Sequence, residues 1–542
     1  MNGFEAIANI LKKEGFEWMA CFPANPLIEA AANVGIRPIV FRQERGGIMA
    51  ADGFSRMLAS QGKRGVFCCQ GGPGVENSFG GIAQAWADSV PILFLPAGDR
   101  DPDIEPNFSA PKNYEHITKW AASINSAEEI PNLMRRAMSA LINGRPGPVL
   151  LEMKGKAMAQ TIESIDDYSS PQITLSAPDS NDLKNAVSNI INAKNPIIWA
   201  GQGILYSGAT KELKELVELL QIPVLTTMQA KSAFDERHPL SLGSANRTAP
   251  KTAWHWLKES DLILGIGTSW TKTTFAIDIP DGKFLIHNTN NLADISKEYK
   301  TDIGLLGDAK LTLQMLIDET RAQLGSTKRN NDSVIESIAI IKKEWNDEWS
   351  ELLNSDQTPI NPYRLINEIN KAVDHENTII THDAGHPRDQ IMPFYPATVP
   401  HSYIGWGKST HLGYGIGLAI GAKIAFPDKF CINFMGDAAF GMAGLDIETS
   451  VRSGNPITTI VLDNGTMGGY DHHQPLAMSK YGAGNMTGSY TTIAKGLGAV
   501  GIDVDKPEEI GPAIKAAEKA NKEGRSVLIN VKTQQEDKFS IY

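Results

Sequence analysis

Cysteine is scarce: four residues in 542, at positions 21, 68, 69 and 431. No CxxC pair and no histidine-linked spacing joins them, which argues against a disulfide framework or a structural zinc site. The thiols are therefore expected to be buried in a reduced, cytoplasmic protein. Long apolar runs are missing as well, since none approaches the roughly 18 residues a membrane span needs. The opening stretch MNGFEAIANILKKEGFEWM has the mixed charge of an amphipathic helix, not the basic start and apolar centre of a signal peptide. Positive charge is in deficit, with Lys+Arg 51 against Asp+Glu 62 and a net charge of -11. That balance argues against a broad nucleic-acid face or a polybasic membrane patch, so any anionic ligand must be held locally. Short repeats, low-complexity tracts and coiled-coil heptads are also lacking.

What remains is a chain with a 42% hydrophobic and 21% charged share, the make-up of a globular protein. At about 150 residues per domain its length suits three or four domains. Helical patterns alternate with short apolar runs in three blocks, the rhythm of parallel sheets. In the first, residues 1–160, the strand candidates are WMACFP, IRPIVF, RGVFCC, VPILFLPA and GPVLLEM. A polar stretch rich in Ser, Asp and Pro, residues 161–182, is the expected linker. The second block, 183–325, carries NPIIWAG, IPVLTT, DLILGIG and KFLIHN. Residues 326–360 are expected to form a helical connector, and 361–542 a third block with NTIITHD, KFCINFMGD, ITTIVLDN and SVLINV. The expected fold class is α/β, with three doubly wound parallel-sheet domains.

The strongest chemical signal lies in the third block. The strand CINFM runs into Gly436-Asp437-Ala438-Ala439, and the strand TTIVL ends at Asp463-Asn464-Gly465-Thr466. Asp437 and Asn464 are 27 positions apart, both just past the carboxyl ends of predicted parallel strands, where open α/β sheets bind ligands. A carboxylate and an amide oxygen converging there suit Mg²⁺, which takes oxygen ligands and commonly bridges to substrate phosphates.

These residues resemble the thiamine diphosphate fingerprint, GDG followed after roughly thirty residues by NN, of acetolactate synthases, benzoylformate decarboxylases and their relatives. The resemblance extends over nearly the whole chain. It implies that Asp437, Asn464 and the backbone carbonyl of Thr466 hold Mg²⁺ against the cofactor's diphosphate, with Gly436, Ala438 and Ala439 in the same cofactor-binding turn. Ala438 and Asp463 depart from the family's Gly and Asn, and neither change removes a ligand. In IVFRQERGGIMAADGFSRM, Glu44 stands between a predicted strand and a helix, ahead of Gly46-Gly47. The family's glutamate in such a segment contacts N1′ of the aminopyrimidine, so Glu44 is the expected catalytic residue. Gln43 stands where the family often has His.

The same likeness assigns further contacts. Residues 70–77, QGGPGVEN, followed by Asp88-Ser89-Val90-Pro91, match the family's S-G-P-G-x-x-N and D-S-x-P segments. Pro73, Gly74 and Asn77 are thereby expected to wall and position the pyrimidine ring. Ala384, Gly385 and His386 fall where the family contacts the diphosphate. Residues 408–415, KSTHLGYG, resemble G-T-M-G-x-G, making Leu412 the apolar brace that bends the cofactor and Thr410 the backbone facing the aminopyrimidine. His472 and His473 follow the metal loop and are candidates for the substrate pocket, His473 where acetolactate synthases place Trp; exposed loop histidines are the alternative.

Two other motifs point elsewhere. Gly405-Trp406-Gly407-Lys408-Ser409 imitates the end of a P-loop, but the full pattern needs Gly where Ser402 stands, and no strand is expected to lead into it. AGQGILYSG holds Gly201 and Gly203 without the third glycine of the dinucleotide fingerprint. The middle domain resembles the one that carries FAD in acetolactate synthases and ADP in oxalyl-CoA decarboxylase, and the sequence does not decide between FAD, ADP and no nucleotide. The family's activity would be decarboxylation of a small 2-oxo acid followed by carboligation. Alternatives are a non-ligating 2-oxo acid decarboxylase and an acyl-CoA lyase or decarboxylase; from other classes, a noncatalytic thiamine-fold protein or an NAD-type enzyme. Family members place the cofactor between two subunits, so a homodimer or dimer of dimers is expected.

Overall fold

Short runs of Val, Ile, Leu and Phe become strands, and the amphipathic stretches between them become helices covering both sheet faces. A computed structural model describes residues 1–23, 25–98, 107–327 and 331–542. Residues 328–330 of the expected connector lie outside them. Among the described residues, eighteen strands form three six-stranded sheets with parallel pairing throughout.

The first sheet comprises β1 (Trp18–Cys21), β2 (Arg37–Val40), β3 (Gly65–Cys69), β4 (Ile92–Gly98), β5 (Trp120–Ile124) and β6 (Val149–Lys154), in the order β2-β1-β3-β4-β6-β5. The second comprises β7 (Pro196–Ala200), β8 (Val224–Thr227), β9 (Ser241–Ala245), β10 (Leu262–Ile266), β11 (Phe284–Thr289) and β12 (Ile303–Leu306), ordered β12-β11-β10-β7-β8-β9. The third comprises β13 (Thr378–His382), β14 (Tyr403–Ile404), β15 (Phe430–Gly436), β16 (Thr458–Asp463), β17 (Val500–Val504) and β18 (Val527–Lys532), ordered β14-β13-β15-β16-β18-β17.

Numbered from its own first strand, the third sheet repeats the order of the first. The middle sheet has a different order, the 3-2-1-4-5-6 arrangement of dinucleotide-binding folds. Chain connections leave in opposite directions on either side of three points: between β1 and β3, between β7 and β10, and between β13 and β15. Loops leaving the carboxyl ends of strands at such points open a crevice, the usual ligand site of α/β sheets. Residues 383–386 and 436–439 leave β13 and β15 at the third of these points.

The first and third sheets share a core. One apolar cluster runs from Phe41, Phe67 and Phe94 to Trp406, Ile416 and Leu528 without a break. At its centre the helix Glu44–Leu58 lies against the helix Gly415–Ala425, and small residues let the backbones meet. A β-carbon added at Gly53 would lie 2.4 Å from the Leu418 carbonyl oxygen, and one at Gly421 would lie 2.1 Å from that of Ala50. The outer faces of these sheets have their own cores, and the middle sheet has a separate one.

Residues 163–179 of the expected linker form neither helix nor strand, yet Ile165 and Tyr168 are buried against the first sheet's helices. Asp179 then accepts hydrogen bonds from Asn181 N and Asp182 N and starts the helix Ser180–Asn192. In the connector, a 22-residue helix, Asp332–Leu353, buries Trp345 and Trp349 in the outer core of the third sheet. All four cysteines are buried and free. No described helix is long and apolar enough to cross a membrane.

Gly421→Ala is expected to lower the thermal midpoint, because its methyl group must push the two helices apart at a cost of about 1–3 kcal/mol. Gly496→Ala, where no atom lies within 4 Å of the added carbon, is the control and should be neutral or slightly stabilising. An unchanged midpoint for Gly421→Ala would show that these helices are not packed together.

Candidate active site

Glu44 is the first residue of its helix, following the extended Gln43. A carboxylate suits that position electrostatically, since the first helical N–H groups carry partial positive charge. It is not a surface residue: only 2% of it is exposed, and Asn77 Nδ2 donates to its Oε2 at 3.1 Å. Asn77 lies early in the helix Pro73–Ala87, which begins at Pro73 after Gly72 in a left-handed turn. Gly74 is buried, and a β-carbon there would press on Cys69 and Gln70. The residues expected at the pyrimidine end thus gather at the carboxyl ends of β2 and β3, with Glu44 and Gly74 buried and Pro73 and Asn77 exposed.

The other expected cluster forms at the third sheet. Gly436 precedes the helix Asp437–Ala443, and Asp437 is buried as its first residue. Its Oδ1 accepts from Ala438 N at 2.7 Å and its Oδ2 from Gly465 N at 2.9 Å, which ties the loops after β15 and β16 together. Burial raises the Asp437 pKa and the neighbouring Asp463 carboxylate adds to this, while the N–H donors oppose it. Asn464 Oδ1 accepts from Thr466 N at 3.1 Å. Ala438 is half-buried and Ala439 buried beside them. Among the described residues no group of three or more His, Cys, Asp or Glu could hold a metal. One carboxylate, one amide and backbone carbonyls are a donor set for a hard cation that completes its shell with phosphate oxygens and water, as Mg²⁺ does.

The remaining C-terminal segments converge on this place through Asp383, a fully buried residue after β13. Its Oδ1 accepts from Ala384 N at 2.8 Å and Gly413 N at 2.9 Å, and its Oδ2 from Gly415 N at 2.9 Å. Burial pushes its pKa up to about 6 against those donors. Leu412 is half-buried against the shared core. Thr410 has φ +55°, a left-handed conformation uncommon for a residue with a β-carbon. Gly385, at φ +84°, precedes the helix His386–Phe394. The His386 ring meets Phe539 edge-on at 5.0 Å, and burial lowers its pKa. A β-carbon on Gly468 would sit 2.5 Å from that ring, so His386 touches the loop carrying Asn464 and Thr466. His472 and His473 are left at the surface on a short helix, Tyr470–His473. His472 Nε2 lies 3.1 Å from Asp537 Oδ2, a hydrogen bond that raises its pKa.

Several residues that sequence spacing did not single out join the two clusters within the chain. Asp88, buried, accepts from Gly407 N at 2.9 Å and Lys408 N at 3.1 Å, in the loop leading to Thr410 and Leu412. Arg56 donates to Asp88 at 3.0 Å and to the Gly405 carbonyl at 3.1 Å. Gln84 Oε1 accepts from His411 N at 3.0 Å, and Arg45 Nη1 lies 3.0 Å from His411 Nε2. On the far side, Asp446 accepts from Arg42 N at 2.9 Å, two residues before Glu44. Asp88 lies in the D-S-x-P segment, which was the one sequence signal available for it. One expectation is corrected: a strand, β14, does lead straight into Gly405. It is a two-residue edge strand, too short to show a periodicity.

A second cavity, of about 420 Å³, opens at the winding reversal of the middle sheet, where Gly203 and Gly267 meet backbone to backbone. Arg64, Arg145 and Lys408 reach it from the other two domains. Of its carboxylates, Asp294 is paired with Arg145 and Lys297, and Asp308 accepts from the N–H groups of Lys310 and Leu311.

Three family models match in succession. They are the N-terminal TPP binding domain of thiamine pyrophosphate enzymes over residues 1–117, the central domain over 183–316 and the C-terminal TPP binding domain over 383–531. A relative named "Probable acetolactate synthase large subunit" from Methanococcus aeolicus is 31% identical, over 95% of this chain and 90% of its own length. The acetolactate synthase large subunit of Corynebacterium glutamicum is 27% identical over 98% and 86%. The 2-hydroxyacyl-CoA lyase of Arabidopsis thaliana is 26% identical over 91% and 88%. The chain belongs to the thiamine pyrophosphate enzyme family, in its acetolactate-synthase-like group.

Asp88→Asn should destabilise the fold by about 2–4 kcal/mol, since an amide cannot accept from both loop N–H groups and Arg56 alike. Thiamine diphosphate affinity, measured by calorimetry, should fall with it. Wild-type values for both would remove Asp88 from the loop's support.

Proposed function

We propose that this chain is a thiamine diphosphate- and Mg²⁺-dependent enzyme that decarboxylates a small 2-oxo acid and joins the remaining acyl unit to a second carbonyl compound. The observation that carries this reading is the buried Glu44, hydrogen-bonded by Asn77, in a chain whose C-terminal domain gathers Asp437, Asn464 and Thr466 at one sheet edge. When bound, the cofactor supplies a nucleophilic carbon and an acceptor for the electron pair released with CO₂.

The protein's part is positioning and proton placement. Glu44 would set its carboxyl against N1′ of the aminopyrimidine, and Asn77, which donates to Oε2, would fix which carboxyl oxygen faces it. Pro73 and Gly74 would wall the ring, Leu412 would brace the cofactor, and the Thr410 backbone would face the aminopyrimidine. Asp437, Asn464 and the Thr466 carbonyl hold Mg²⁺; Gly436, Ala438, Ala439, Ala384, Gly385 and His386 receive the diphosphate. The N–H groups that Asp437 accepts aim its carboxylate before the ion arrives. His472 and His473, exposed as they are, serve at the rim of the substrate entrance and not inside it.

The middle-sheet cavity takes an adenine nucleotide such as FAD or ADP. Its dinucleotide-type strand order, the close glycine backbones and the cations from neighbouring domains support this reading. The active unit is a homodimer, with Glu44 of one subunit serving the cofactor held by Asp437 of its partner.

Two measurements test the proposal. With pyruvate, ligation predicts one ligated product for each CO₂ released; aldehyde with no ligated product would favour the simple decarboxylase. Glu44→Gln and Asp437→Ala chains, each inactive alone, should recover about a quarter of wild-type activity after mixed refolding, because half the dimers are mixed and each has one intact site. No recovery would place each complete site within one chain.

A further inference from the structure

Lys408 is the one cation of the thiamine loop that lines the nucleotide cavity. Its backbone N–H is held by Asp88 at 3.1 Å, two residues before Thr410 and four before Leu412. Its side chain turns away from that site into the cavity, where Nζ donates to Ser269 Oγ at 3.1 Å. Among the described residues no carboxylate lies within 4.0 Å of this ammonium, and the cavity's Asp294 is already paired with Arg145 and Lys297. Arg64, on the same wall, has Nε and Nη1 buried without a hydrogen-bond partner. A cation held in a cavity wall by one neutral hydroxyl is under-compensated, and its neighbours add positive charge. Burial and the nearby Arg145 accordingly lower the Lys408 pKa to about 8.

These contacts make Lys408 a bridge between two ligand sites. We propose, resting on the nucleotide reading of the cavity, that the Lys408 ammonium pairs with the diphosphate of the bound nucleotide and thereby orders the thiamine loop, so that the nucleotide and thiamine diphosphate bind cooperatively. A lysine on a flexible four-carbon stem gives up much rotamer freedom when it is fixed. The first ligand to order residues 407–412 bears that cost, and the second finds the loop already set. Reciprocity then requires each ligand to tighten the other by the same factor. Asp88 completes the link, because it clamps the N–H groups of Gly407 and Lys408 and so ties the placing of the side chain to that of Thr410 and Leu412.

The test is calorimetry on protein stripped of ligands, with ADP and FAD as probes, followed by thiamine diphosphate and Mg²⁺ with and without saturating nucleotide. For wild type, at least one nucleotide should bind, and the Kd for thiamine diphosphate should fall about fivefold or more in its presence. Lys408→Met should weaken the nucleotide about tenfold and leave the two sites independent, whereas Lys408→Arg, which keeps the charge, should retain the coupling. Nucleotide binding with coupling unchanged in Lys408→Met would overturn the role of Lys408 while leaving the cavity reading intact. Failure of wild type to bind either nucleotide would overturn both.

Discussion

The contact on which the rest depends is the packing of the helix Glu44–Leu58 on the helix Gly415–Ala425. Its pairings advance in the same direction along both helices: Gly417 meets the Gly46 carbonyl, and Gly421 meets Ala50 and Phe54. The two amino termini therefore lie at the same end, so Glu44 and the loop through Thr410 and Leu412 are presented together. Small side chains are the means, because a close-packed interior leaves no room for an added methyl group at a backbone contact. The burial of nearly every residue of the first helix, Asp52 and Arg56 included, follows from its place between two sheets.

Around that contact two sheets of identical strand order face each other, and their loops divide the work. The first sheet contributes a buried acid that accepts from an amide, suited to a heterocycle. The third contributes oxygen donors and helix amino termini, suited to an ion and a diphosphate. Asp88, Gln84 and Arg56 reach across to hold backbone groups of the C-terminal loop. The middle sheet, wound in the order of dinucleotide-binding domains, borders the same loop through Lys408. The three domains thus meet at residues 405–412, which carry no secondary structure of their own beyond that segment's flanking strand and helix.

How much of this was legible in the sequence depended on what each residue does. Thirteen strands with continuous apolar runs were readable, because a strand covered on both faces must be apolar throughout. Those missed, β5, β9, β12, β14 and β17, are all sheet edges. Sequences such as WAASI, SLGSA and VGIDV carry small or polar residues where one side needs no neighbour. Glu44 and the loop proposed to hold the metal stood out because the chemistry proposed for them requires particular side chains at fixed places. The D-S-x-P segment marked Asp88 without revealing what it does, and nothing marked the role of Asp383, since accepting backbone N–H groups from a distant segment leaves no trace in local spacing. The fingerprint's missing third glycine concealed the dinucleotide-type order of the middle sheet, which lies in strand connectivity and not in any one turn.

The proposed chemistry depends on Glu44 as the group that prepares the cofactor. Hydrogen–deuterium exchange at C2 of bound thiamine diphosphate reports that preparation without any substrate. Glu44→Gln should bind the cofactor nearly as well as wild type yet slow the exchange by about a hundredfold or more. Equal exchange rates in the two proteins would contradict the central claim.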